Sequence, residues 1–133
     1  MHEFNNIKKY IDYFHDGNLY DIQIADNHIK FYIESAEIDP DDIKEESILN
    51  ERYRIKGIPW LKGVIQVVIN NQIPKRLIHI ISEDGEIKDL EIHDNKVLLN
   101  VMWSKYSDLD FRDFTCNEIS CDKAVFYIEE DAK

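Results

Sequence analysis

The period of the apolar positions changes once along the chain, and the change divides it into two parts. Before it, Phe4, Ile7, Ile11 and Phe14 recur at i, i+3, i+7 and i+10, the stripe of an amphipathic helix. Lys8, Lys9 and Asp12 take the other side. Gly17 lies just past the last periodic residue, where a left-handed stop is easiest. The spacing predicts a helix over residues 3–14, with His15 at its C-terminal end, where the helix dipole favours an imidazolium.

From Tyr20 the period is two. Tyr20, Ile22 and Ile24 alternate with Asp21 and Gln23, Asp26-Asn27 marks a turn, and Ile29, Phe31 and Ile33 alternate again. Two such runs with a short Asp-Asn connection read as a β-hairpin. Asp39 can cap a short helical piece with Pro40 at its first position and acidic residues in its first turn. Tyr53 and Ile55 suggest a third strand, which Gly57 and Pro59 interrupt because proline cannot donate to a central ladder. Val64 to Ile69 is apolar except for Gln66, the pattern of a strand buried on both faces. Asn70-Asn71-Gln72 and Pro74 then turn the chain into a strand at Leu77–Ile81.

Asp84-Gly85 carries a hairpin-turn signal, and Leu90 and Ile92 a short strand. His93-Asp94-Asn95-Lys96 turns back into the clear alternation of Val97, Leu99, Val101 and Trp103. Phe111, Phe114 and Ile119 fit neither period, whereas Ala124, Phe126 and Ile128 alternate as a last strand. Strands this closely spaced predict a mainly β domain: antiparallel sheet or sheets, as a sandwich or open barrel, with the N-terminal helix packed on it. All 133 residues fit one domain, with the β-rich region over about 19–130. No linker, low-complexity tract or repeat divides it.

The residues Phe14-His15-Asp16-Gly17, followed by Leu19 and Ile22, resemble the opening of small bacterial β-rich domains, some of them immunity proteins of toxin systems. The similarity extends loosely through the first hairpin, Ile55-Lys56-Gly57 and Gly63-Val64, and on to Asp84-Gly85 with Val97 to Trp103. The resemblance implies a small acidic protein that binds a toxin. It carries no catalytic residue.

Charge narrows the function classes. With 27 acidic against 16 basic residues the formal net charge is -11. This argues against nucleic-acid binding, which displaces counterions from phosphate with a basic footprint, and against anionic membranes. It suits either a solvated acidic surface or one that steers a basic partner. The opening Met1-His2-Glu3-Phe4 lacks a basic and then apolar leader, and no apolar run spans a bilayer, so a cytoplasmic location is expected.

Candidate chemistry is sparse. His15-Asp16 could belong to a metal-dependent hydrolase, but that needs further ligands, and His28, His79 and His93 show no recognisable spacing. The plainer reading gives Asp16 a backbone-capping part in the turn. Cys116 and Cys121 flank four residues with no CxxC and no adjacent cation. They read as two buried or half-buried thiols, although a disulfide across a tight turn is sterically conceivable. The acidic stretch Asp39, Asp41, Asp42, Glu45 and Glu46 fails as an EF-hand, because Lys44 stands where that loop needs glycine. It could steer a basic partner.

Trp60, beside the strand-breaking Pro59, could anchor an interface or fill the core. Asp39, Asp41, Asp42, Glu45, Glu46 and Trp60 are therefore the candidate partner-binding residues. No catalytic residue, metal ligand or cofactor is assigned. The leading expectation is a non-enzymatic protein-binding domain, with an immunity-like role as its more specific form. The alternatives are a hydrolase using His15 and Asp16, or a β-domain that self-associates through strand edges.

Overall fold

The computed structural model describes residues 2–4, 7–43, 48–74, 84–105 and 108–129. Among these residues seven strands form: β1 (His2–Glu3), β2 (Asn18–Ala25), β3 (His28–Glu34), β4 (Lys56–Ile69), β5 (Asp84–Ile92), β6 (Lys96–Lys105) and β7 (Asp108–Ile128). All pair antiparallel, in the order β1-β7-β4-β3-β2-β5-β6. Because β6 also pairs β7, the six longer strands close into a barrel, and β1 is a short addition outside the ring.

The ring consists of two meanders, β2-β3-β4 and β5-β6-β7, meeting along two seams. One seam is long: β4 pairs β7 from Gly57↔Ile128 to Ile69↔Asn117. The other is thin, with only Asn18↔Glu86 and Leu19↔Gly85 joining β2 to β5. The 21-residue β7 serves three neighbours in turn: β6 along its first half, β4 along its second, and β1 at Tyr127 and Ile128.

The predicted N-terminal helix is absent. In its place are two 3-10 turns, Ile7–Lys9 and Ile11–Phe14, whose bonds run from Tyr10 N to Ile7 O and from Tyr13 N to Tyr10 O. The segment is rich in β-branched and aromatic residues, which lose side-chain freedom in an α-helix. Tyr10, at φ −118 and ψ 6, breaks helical geometry between the two turns. Of the predicted stripe Ile7 and Phe14 are still buried, with Phe4 and Ile11 partly buried against the core, and Tyr10 joins them, so the apolar positions reach the core by another backbone path.

Other expectations fail for local reasons. A bulge between Leu19 and Asp21 shifts the phase of β2, so Leu19 points inward and Tyr20 outward. Tyr53 lies outside any strand at φ 58. β4 begins at Lys56 and runs straight through Gly57 and Pro59. Proline has no N–H to give, and the β3–β4 ladder lapses at Ile58 and Pro59 between its paired ends. Val64 to Ile69 is not buried on both faces, because a bulge between Val64 and Gln66 leaves Ile65 71% exposed. Asp84-Gly85 opens β5 rather than making a turn. Gly85 pairs Trp103, and a Cβ there would lie 2.8 Å from the indole. The expected strand at Leu77–Ile81 lies outside the described residues.

The β2–β3 hairpin, the turn at His93–Asn95 and the buried alternation of Val97, Leu99, Val101 and Trp103 form as the pattern predicts. Side chains fill the barrel interior, with one polar network among them. Trp103 Nε1 donates to Thr115 Oγ1 at 3.0 Å, and Asn117 Nδ2 donates to Leu99 O at 2.8 Å and Thr115 Oγ1 at 3.1 Å. Buried donors need such partners. Among the described residues no helix is long and apolar enough to cross a membrane.

Candidate functional site

The site begins with the direction of side chains on the long seam. Phe126 covers Gly57 so closely that a Cβ would meet the ring at 2.1 Å, which places Gly57 and Phe126 on the inner face. Strand alternation then sends Lys56, Ile58, Trp60 and Lys62 of β4 outward. Lys123, Val125, Tyr127 and Glu129 project outward from β7 and its end, as do His28, Lys30 and Tyr32 from β3. These residues, with Tyr20 of β2, form a four-strand outer wall.

Trp60 stands in the middle of this wall. Its Nε1–H donates to His28 Nδ1 at 3.0 Å. The ammonium groups of Lys30 and Lys62 lie 4.0 and 4.6 Å from the indole centroid, and the Tyr127 ring is 5.6 Å away. Cation–π attraction of this kind contributes about 0.5–1 kcal/mol per exposed pair. Beneath the layer, Ile58 and Val125 are only 3% and 7% exposed although they face outward. Tyr127 pairs with Ile58 directly, and the β3–β4 register puts Tyr32 on its other flank. The wall therefore carries a thin apolar layer of its own, capped by aromatic rings and lysine stems.

Tyr20 extends the wall. Its ring lies 6.2 Å from Tyr32 and 5.1 Å from the Lys56 ammonium, and its hydroxyl donates to Glu129 Oε2 at 2.6 Å. Burial first, and then this bond to a carboxylate, push the phenol far above its ordinary range, so it remains a donor.

The acidic candidates form a separate feature. Asp39 Oδ1 accepts from Asp41 N at 3.0 Å and caps the 3-10 turn Pro40–Asp42, as its position before proline predicts. Buried Ile38 and Ile43 hold the turn at both ends, leaving Asp39, Asp41 and Asp42 exposed. Glu45 and Glu46 lie outside the described residues. Trp60 shares none of its partners with this turn: the structure separates the acidic candidates from the aromatic one.

His15 and Asp16 sit on the surface at the entry to β2. His15 Nδ1 is 3.2 Å from Asp16 Oδ2, and Lys88 Nζ bridges Asp16 at 3.6 Å and Glu86 at 3.1 Å. Hydrogen bonding with Glu86 first, then the charges of His15 and Lys88, holds Asp16 below its ordinary carboxylate value. Its backbone N–H donates to Ile87 O at 2.8 Å. Asp16 is thus a paired anion in a junction. Among the described residues no three His, Cys, Asp or Glu side chains group as metal ligands would, and His79 is not among the residues described.

Both cysteines lie on β7, with no turn between them, and both are free. Five residue steps along the strand, with four residues between, separate them by roughly 16 Å, beyond disulfide reach. Cys116 is exposed, contrary to the expectation of two buried or half-buried thiols. Cys121 is buried, and desolvation raises its pKa. Iodoacetamide is expected to modify one thiol per native chain and two in urea, read by intact mass.

No family model, curated protein or solved structure matches this chain. The functional reading therefore rests on the geometry of the wall. The sequence singles out Trp60 as a residue that could anchor an interface or fill the core, and the structure places it on the outer wall. Its companions were not, since His28, Lys30, Lys62, Lys123 and Tyr127 meet only through the register of three strands.

Proposed function

We propose that this chain is a non-enzymatic protein-binding domain whose principal contact surface is the outer wall around Trp60. One observation carries the reading: an indole fixed by a hydrogen bond, two ammonium groups and a tyrosine ring, on the solvent side of a barrel whose core is already complete without it. Interfaces concentrate binding energy in such pre-ordered aromatic anchors. The capped turn bearing Asp39, Asp41 and Asp42 is a second part of the proposed contact, steering a basic region of the partner by charge. Taken with the resemblance of the Phe14–Gly17 opening, the proposal extends to an immunity-like role in the cytoplasm. There the partner is a bacterial toxin, and binding occludes it without chemistry.

The test is capture of partner proteins by the immobilised chain, beside Trp60→Ala. The wild type is expected to retain a partner. Trp60→Ala should weaken retention by about 2 kcal/mol or more, roughly thirtyfold, while circular dichroism shows an unchanged fold. Recovery of no partner, equal recovery by the variant, or light scattering that finds only a second copy of the chain overturns the reading.

A further inference from the structure

Lys62 and Lys123 are cross-strand partners on the outer wall, directly opposite one another. Like charges in that position repel and destabilise a sheet. By the register that pairs Lys30 with Trp60, His28 falls on the other flank of Lys62. Lys30 stands one row away, over the indole. Among the described residues, no carboxylate forms an ion pair with Lys30, Lys62 or Lys123. The chain has 27 acidic residues to place against 16 basic ones, so unneutralised lysines gathered around one aromatic group stand out from its overall charge.

The same cations have the shape of a recognition surface. Lys30 and Lys62 lie against Trp60, and Lys62 Nζ donates to Tyr127 OH at 3.5 Å. Their stems are thereby held in place, and less side-chain entropy remains to be lost on binding. An anion arriving here would relieve the Lys62–Lys123 repulsion while apolar groups beside it stacked on Trp60 and Tyr127.

Resting on the protein-binding reading above, we propose that the wall recognises an acidic segment of the partner, carboxylates on Lys30, Lys62 and Lys123 and an aromatic or apolar side chain against Trp60. The occupant is a polypeptide rather than a nucleic acid, because a net charge of -11 repels an extended polyanion over its whole length, whereas a short acidic segment meets only the wall. The domain is thus electrically two-ended: its exposed carboxylates offer a site for a basic region, and its wall takes an acidic one.

The test uses the full chain, a short fluorescein-labelled random copolymer of glutamate and tyrosine, and a labelled oligo-dT strand of matched length. Anisotropy is expected to show saturable copolymer binding that weakens as salt rises from about 50 to about 300 mM. Trp60 emission should change with it, while Trp103, only 2% exposed, is shielded. Changing Lys30, Lys62 and Lys123 together to Gln should weaken binding at least about tenfold. Removal of the Lys62–Lys123 repulsion offsets the loss of the two lysine–indole contacts, so thermal stability should change little. Absence of saturable binding, binding unchanged in the triple variant, or oligo-dT binding as tightly as the copolymer overturns the proposal. A natural partner lost by Trp60→Ala but kept by the triple Gln variant overturns it too, and leaves the protein-binding reading standing. Retention by both variants removes both.

Discussion

Replacing Trp103 by alanine is expected to remove about 4 kcal/mol of stability, a large share of what a domain of this size possesses. The side chain is 2% exposed and occupies the barrel interior on β6. Its loss leaves a cavity that the surrounding strands cannot collapse into without breaking their ladders. It also removes the donor that Trp103 Nε1 supplies to Thr115, which Asn117 shares. Trp103→Phe keeps most of the volume and should cost about 1–2 kcal/mol, chiefly through the missing hydrogen bond. Urea unfolding followed by circular dichroism measures both. A Trp103→Ala midpoint within error of wild type would contradict the packing described here. Trp60→Ala on the outer wall loses two cation–π contacts and one hydrogen bond but opens no interior cavity, so it should move that midpoint clearly less, separating the core indole from the surface one.

Gly17→Ala carries the second large effect. A Cβ at this position would lie 2.2 Å from Glu34 O and 3.0 Å from Phe14 O, both backbone atoms that no rotamer change can move aside. Relief requires prising β2 from the end of β3 at the thin β2–β5 seam, where Gly17 O also accepts from Ile87 N at 2.8 Å. A loss of about 3 kcal/mol or more is expected, again read by urea denaturation. His15→Ala next to it should change stability by less than about 0.5 kcal/mol, since His15 is exposed. Equal effects at the two positions would mean that the junction is not packed as described.

The Phe14–Gly17 junction also shows how far sequence carries. Its place as the change from one period to another was legible, because burial of Phe14 and Leu19 imposes apolar positions on any backbone path. Its conformation was not. Asp16, at φ 67, takes the left-handed position expected of Gly17, and Gly17 serves close approach instead. Phe4, Ile7, Ile11 and Phe14 were spaced well enough for a helix, yet 3-10 turns also bring i and i+3 to one side. Bulges hid the rest: each shifts the phase of alternation by one residue, so Tyr20 and Ile65 read as inward and point outward.

Pro59 and Gly85 read as breaks, yet each is tolerated inside a strand, one where a ladder lapses and one under an indole. The candidate site divided in the same way. Asp39 with Pro40 announces its own capped turn, a local matter. The opposition of Lys62 to Lys123 links positions 61 residues apart and depends on the pairing of β4 with β7.

That pairing sets an order of events for a chain being synthesised. The meander β2-β3-β4 can assemble as soon as Ile69 is available, but one flank of β4 then waits for residues 117–128. During the wait, β4 presents an unpaired edge and an uncovered inner face at Gly57, Pro59 and Leu61. A first meander expressed alone, with the chain ended after β4, is therefore a hazard to itself, prone to pairing with its own copies. Supplied in trans, a peptide spanning β7 would be the natural remedy, filling the place of the strand that makes the barrel whole.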